Sequence, residues 1–367
     1  MPFPNWQARA SIAVTALVLS GQSHAQWSVA YLNPANRASV ASGVSSGGQV
    51  GLSTGIPSDA AVLWNGSAQS WVNLNPSGAG RSKANAAFGS QQAGSANYGG
   101  WDRATIWHGT AASAQDIHPV WASLSEVMAT SGVQQAGYAL VPSTGRYHAT
   151  VWSGSSASAV DLHPGPLNEA SFAWGVAGGQ QVGSTTNFNG NLRQAALWSG
   201  TAGSYINLTP SSYYSEALAV EGGIQVGYER ATSGSFRRPV IWSGTAASMS
   251  YLAGPSVEGA IRAIHQGRLA GEMHVGAHRH ATMWNSATSS PEDLATVLTG
   301  SWAETIATGI WSDGQTIFVT GYGFNTTRNR NEALLWTRPV PTPATSLVAA
   351  AGLMLHGGRR RRSQRLS

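Results

Sequence analysis

Gly179-Gln-Gln-Val-Gly183, Ala195-Ala-Leu-Trp198 and Ile206-Asn-Leu-Thr-Pro210 follow one another mid-chain, and they decide the fold because they recur. An apolar run closing in Trp returns at Trp64, Trp107, Trp152, Trp198, Trp242, Trp284 and Trp336, spaced 43, 45, 46, 44, 42 and 52 residues apart. The Gln/Val-Gly phrase ends at Gly51, Gly94, Gly137, Gly183, Gly227, Gly271 and Gly321. A small-residue strand precedes it, as in Ser171-Phe-Ala-Trp-Gly-Val176, Ser215-Glu-Ala-Leu-Ala-Val220 and Ala303-Glu-Thr-Ile-Ala-Thr308. A short segment often ending in Pro follows the Trp, as in Val72-Asn-Leu-Asn-Pro76 and Val160-Asp-Leu-His-Pro164. A period of about 40–45 residues with one small β-unit per repeat marks a propeller or a stacked array.

Four short strands separated by Gly or Pro turns make one antiparallel blade. The third strand is apolar on both faces, since Leu197 and Trp198 are neighbours and point opposite ways. Radial stacking of blades covers both. Each Trp buries about 150–250 Å², or a few kcal/mol at about 25 cal/mol per Å², so the Trp positions are packing anchors. The chain opens with a fourth-strand motif, Tyr31-Leu-Asn-Pro34, and closes with a third strand, Ala333-Leu-Leu-Trp336. These half-blades complement one another. Joining them shuts the ring and removes its open edges, whereas an open solenoid needs polar caps. The expectation is an all-β, seven-bladed propeller of four-stranded antiparallel blades over residues 26–338, with six or eight blades as alternatives and Leu32 close to Leu335.

Cysteine is absent, which excludes disulfides, Cys-ligated metals and thiol catalysis. The sequence pI of 9.7 misleads, because the basic residues gather at the ends. Residues 1–25 have the form of a secretory signal, with Arg9, an apolar Ser11-Ile-Ala-Val-Thr-Ala-Leu-Val-Leu19 and Ser23-His-Ala25 before Gln26. That apolar run is too short to span a bilayer. Without Arg9, Arg359, Arg360, Arg361, Arg362 and Arg365, the 21 basic residues fall to 15 against 16 acids, so the body is nearly neutral and a nucleic-acid partner is rejected.

Residues 339–367 hold Pro341, Pro343 and Ala344, an apolar Leu347–Leu355 run, then the arginine cluster. This tail resembles the PEP-CTERM sorting signal of Gram-negative bacteria, with Thr342 where the family usually has Glu. The resemblance implies transient retention at the inner membrane, cleavage by an exosortase and delivery to the cell surface or matrix. The third strands resemble the HAF family of extracellular repeats at His148-Ala149-Thr150 and His280-Ala281-Thr282, more loosely at Arg103-Ala104-Thr105, Gln194-Ala195-Ala196, Arg238-Pro239-Val240 and Glu332-Ala333-Leu334. That family implies architecture and an extracellular setting, with no assigned activity.

Few residues suggest chemistry. His274, His278 and His280 lie within seven residues, at a spacing that suits Zn or Cu; yet His280 is a repeat position matched by His148, so no metal or other cofactor is expected. His118 and His163 precede Pro in successive repeats and are expected as turn residues. Glu126, Glu216 and Glu304 align in the first strand and, if it is innermost, fall at one mouth of the channel. No catalytic Ser/His/Asp elbow, phosphate loop or His-Glu-x-x-His motif is present. Tyr98 and Trp101 in the expected loop 95–102, and Tyr213 and Tyr214 beside a fourth strand, are aromatics outside the repeat, beside Asn and Asp, and suit sugar binding. The reading is a non-enzymatic surface protein binding extracellular polysaccharide or protein. The alternative is a secreted carbohydrate-active lyase or hydrolase working at the channel mouth.

Overall fold

In the computed structural model, the described residues are 26–340 apart from 35, 56–57, 166–167, 188–191, 211–212, 232–235 and 253–255. The expected signal (1–25) and sorting tail, including Pro341, Pro343, Ala344 and Arg359 to Arg362, lie outside them. Seven four-stranded antiparallel sheets make up the described chain. Their innermost strands are Ser39–Ser45, Arg81–Phe88, Leu124–Thr130, Asn168–Ala177, Tyr213–Glu221, Gly259–His265 and Trp302–Ser312, here the starts of blades 1 to 7. Each packs against the next, and the strand of blade 7 packs back against that of blade 1. The protein is a closed seven-bladed propeller.

Closure comes from both ends of the chain. Ser28–Tyr31 pairs with Arg330–Pro339, setting Ala30 opposite Leu335, and forms the outer strand of blade 7. The Leu32 amide donates to the Ala333 carbonyl at 2.9 Å. Leu32 and Leu335 share one buried cluster with Trp64. The expected half-blades do join.

The repeat phrases now have physical causes. All seven anchor indoles are fully buried, each at an interface with the preceding sheet. The repeated glycine sits where a methyl would strike the innermost strand: at Gly183 it would stand 1.8 Å from the Phe172 carbonyl oxygen, and at Gly51 1.9 Å from that of Val40. The preceding Gln caps the turn after the Trp, accepting from Gly66, Gly109, Gly154, Gly200 and Gly244 at 2.7–2.8 Å through Gln49, Gln92, Gln135, Gln181 and Gln225. Blade 6 has Leu269 and Ser286 in place of this pair.

The fourth strand, expected to be short, is two residues long in blades 1 to 6, such as Val160–Asp161; the next residue, Leu162, still donates to the Ala149 carbonyl at 2.8 Å while its side chain plugs the gap between blades. One alignment changes: Glu304 does not match Glu126 and Glu216. Ala307 pairs with Gly321 as Ala217 pairs with Gly227, so Ile306 takes the position of Glu216 and Glu304 lies two residues earlier.

Candidate ligand site at the channel mouth

Every innermost strand carries a β-bulge at the same place. Its register with the second strand slips by one residue just after the residue opposite the repeated glycine. A bulge leaves one residue unpaired and re-aims its side chain. The bulged residues are Ser42, Asn85, Met128, Trp174, Leu218, Arg262 and Thr308, and all seven line one cavity. The residue after each bulge is Gly or Ala, because adjacent innermost strands nearly touch there. A methyl on Gly175 would lie 3.0 Å from the Ala219 Cα, and one on Gly309 3.2 Å from the Gly43 Cα. The bulged ring therefore forms the waist of the channel, with about 540 Å³ above it and about 210 Å³ below.

The larger space opens where the innermost strands begin, and blades 4 to 6 furnish its charge. Glu216, buried, accepts from Arg193 of the preceding blade at 2.9 Å and from the Tyr214 hydroxyl at 3.1 Å, and it bonds the Tyr228 hydroxyl as well. Burial first, then the Glu216 carboxylate, pushes the Tyr228 hydroxyl well above its ordinary range, so it remains a proton donor. Arg262 holds Glu272 through two nitrogens, at 2.6 and 2.9 Å. Arg237, exposed, lies 4.5 Å from the centre of the Tyr228 ring. Trp174 stacks on Phe172 at 5.2 Å, while Tyr322 completes the aromatic wall.

The expected site residues are dispersed. Tyr98 and Trp101 are not in a loop: they end and begin adjacent strands and face each other across Gly99-Gly100. Both glycines have positive φ, 62° and 93°, which a tight two-residue hairpin requires. Tyr98 tucks against the core near Trp107 and Trp101 is 53% exposed. Tyr213 and Tyr214 begin the innermost strand of blade 5 rather than adjoining an outer one. Tyr214 stands beside the cavity, under Arg230 at 4.3 Å; the side chain of Tyr213 is outside the described residues.

Glu126 sits at the mouth of blade 3, held by Lys83 at 2.8 Å, Asn85 at 2.7 Å and the Tyr138 hydroxyl at 2.6 Å, while Glu304 pairs with Arg279. The histidines turn to separate partners: His274 to Glu258 at 3.5 Å, His278 to the Ala303 carbonyl at 2.7 Å and His280 to Asp293 at 2.8 Å. The last is a repeated structural pair, matched by Arg103–Asp116 and His148–Asp161. Among the described residues no three His, Asp or Glu gather as metal ligands.

Residue-by-residue reading missed the bulged ring and Arg237. The ring had a signal in the repeat itself: one column in which all seven residues differ, followed by a column of Gly and Ala alone.

No family model and no curated protein matches this chain. Solved structures do. The β-propeller domain of the Trilobed protease from Pyrococcus furiosus is 8% identical with a TM-score of 0.55, covering 84% of this chain and 99% of that one. That domain has an open velcro topology, whereas here paired strands from the two ends close the ring. A prolyl endopeptidase (12% identity, TM-score 0.51) and an acylaminoacyl peptidase (11%, 0.51) each match 84% of this chain. This chain spans about half of their length, 51% and 52%. At such identities the likeness is one of fold.

Proposed function

We propose that this protein is a non-enzymatic, exported propeller that binds an extracellular polysaccharide at the channel mouth. The observation that carries the reading is the bulged ring: seven repeats spend the same backbone device on seven different side chains, while Trp and Gly elsewhere stay fixed. A column kept for packing would repeat its residue. The signal-like first 25 residues and the PEP-CTERM-like tail support export, handling by an exosortase and display at the surface or matrix. Among the described residues no helix is long and apolar enough to cross a membrane.

Concentration of titratable groups in one cavity favours a second reading, a carbohydrate-active lyase or hydrolase at the same mouth. The state of those groups supports binding instead. Glu216 is engaged by Arg193 and two tyrosine hydroxyls, and the Tyr228 proton is held rather than released. A general base needs an accessible lone pair and a pKa near the working pH. A glycan array probed with the full chain, followed by product analysis on every hit, tests the two together. The expected outcome is retention of at least one polysaccharide without cleavage. Products released from a retained glycan would transfer the site to the enzyme reading, and an empty array would contradict both.

A further inference from the structure

We infer that the channel mouth takes a uronate-bearing oligosaccharide, with Arg237 as the carboxylate contact; this rests on the mouth being the binding site. The bulged ring is not mixed at random but divided into sectors. Blades 7, 1 and 2 contribute Thr308, Ser42 and Asn85; blades 3, 4 and 5 contribute Met128, Trp174 and Leu218; blade 6 contributes a cation, Arg262. A pyranose has the matching asymmetry, with a C–H face that lies on an aromatic plane and a rim of hydroxyls.

The polar sector is set to accept. Thr308 Oγ1 donates to the Ala41 carbonyl at 2.8 Å, which leaves its lone pairs for an incoming hydroxyl. Asn85 Nδ2 is used on Glu126 at 2.7 Å and the Val127 carbonyl at 2.8 Å, which leaves the amide oxygen as the acceptor. Sugar hydroxyls supply the donors these atoms lack.

Charge then selects among sugars. Three arginines line the cavity against one glutamate, in a body whose charges nearly cancel. Arg193 and Arg262 are paired with Glu216 and Glu272, so the charge of each is already balanced within the protein. Arg237 has no carboxylate within ion-pair reach among the described residues, and the Tyr228 ring steadies it at the rim. A guanidinium with open donors beside a cavity fits a carboxylate through paired N–H groups. An acidic peptide would satisfy Arg237 but not the ring of acceptors facing an apolar sector.

Calorimetric titration of the full chain tests this with uronate trimers (galacturonate, glucuronate, mannuronate and guluronate), their carboxyl-reduced neutral counterparts and a Glu-rich hexapeptide. At least one uronate trimer is expected to bind about tenfold more tightly than its neutral form, the usual scale for a charged hydrogen bond. Arg237→Gln, an exposed substitution whose thermal midpoint serves as the folding control, is expected to erase that difference. Equal binding of acid and neutral forms, an unaffected Arg237→Gln, or a hexapeptide that binds as tightly overturns the inference. The site reading has its own control: Trp174→Ala should abolish binding of charged and neutral sugars alike. If Trp174→Ala binds normally, the mouth is not the site and both ideas fall; if it fails while Arg237→Gln changes nothing, only the uronate is lost.

Discussion

His163 shows how one repeat position is filled by different residues for one task. Its Nδ1 meets the Ser171 hydroxyl at 2.9 Å, and that hydroxyl accepts the Ala149 amide of the neighbouring strand at 2.8 Å. His118 repeats the arrangement with Ser125 at 2.7 Å and also reaches the Ala122 carbonyl at 3.0 Å, as Asn75 reaches that of Ala79 at 3.1 Å. Both histidines thus hold the turn between blades, as their place before Pro suggested. Burial above all, and then His148 stacked 4.0 Å away, lowers the His163 pKa to about 4. An unfolded chain takes up that proton near pH 6.5. Between those values the unfolded state binds more protons, so stability is full above about pH 6.5 and declines as pH falls toward 4. The thermal midpoint should drop across that window, and His163→Asn, borrowing the residue of blade 1, should flatten part of the fall. A wild-type midpoint that is constant from pH 7 to 4 would contradict the assignment.

At the scale of the element, the closing strand and the innermost strands differ in how much of them the sequence revealed. Tyr31-Leu-Asn-Pro34 was legible as an orphan outer strand because its Leu is the same interblade plug as Leu74 and Leu162. Pairing follows, and it can be locked. Ser28 and Thr337 face each other across the pair with their hydroxyl oxygens 2.8 Å apart on the exposed side. The chain has no other thiol, so Ser28→Cys with Thr337→Cys should form one intramolecular disulfide on mild oxidation. Tying a loop of this length stabilises by up to about 5–6 kcal/mol in the chain-entropy limit. A raised midpoint in the oxidised form, reversed by reductant, is expected; thiols that stay free in the native protein would sink the closure. The innermost strands were harder to place. A bulge adds one residue without any mark in composition, and in blade 7 the likeness of Ala303-Glu304 to Ser215-Glu216 hid the true counterpart, Thr305-Ile306, which the pairing of Ala307 with Gly321 fixes. Tyr98 and Trp101 seemed to belong to a loop because a Gly-Gly hairpin turn has the same composition as one.

Across the whole molecule, near-sevenfold packing carries an unsymmetrical interior. Indoles, glycines and interblade hydroxyls such as Ser82, Ser125 and Ser171 repeat because every interface must solve the same packing problem. Channel side chains meet that demand less strictly, since each also faces the cavity. The proposed site therefore lies where the repeat stops repeating, and the arginine-rich part of the mouth, blades 4 to 6, is its centre. No single motif announced this, because each contributor sits in a different repeat and only ring closure brings them together. Exposed aromatics at a hairpin end, such as Trp101, are the rival location. Hydroxyl-radical footprinting of the full chain, with and without the tightest-binding array glycan, separates the two. Ligand should shield Trp174 and Tyr322 from labelling and leave Trp101 unchanged; shielding of Trp101 with Trp174 labelled as before would contradict a site at the channel mouth.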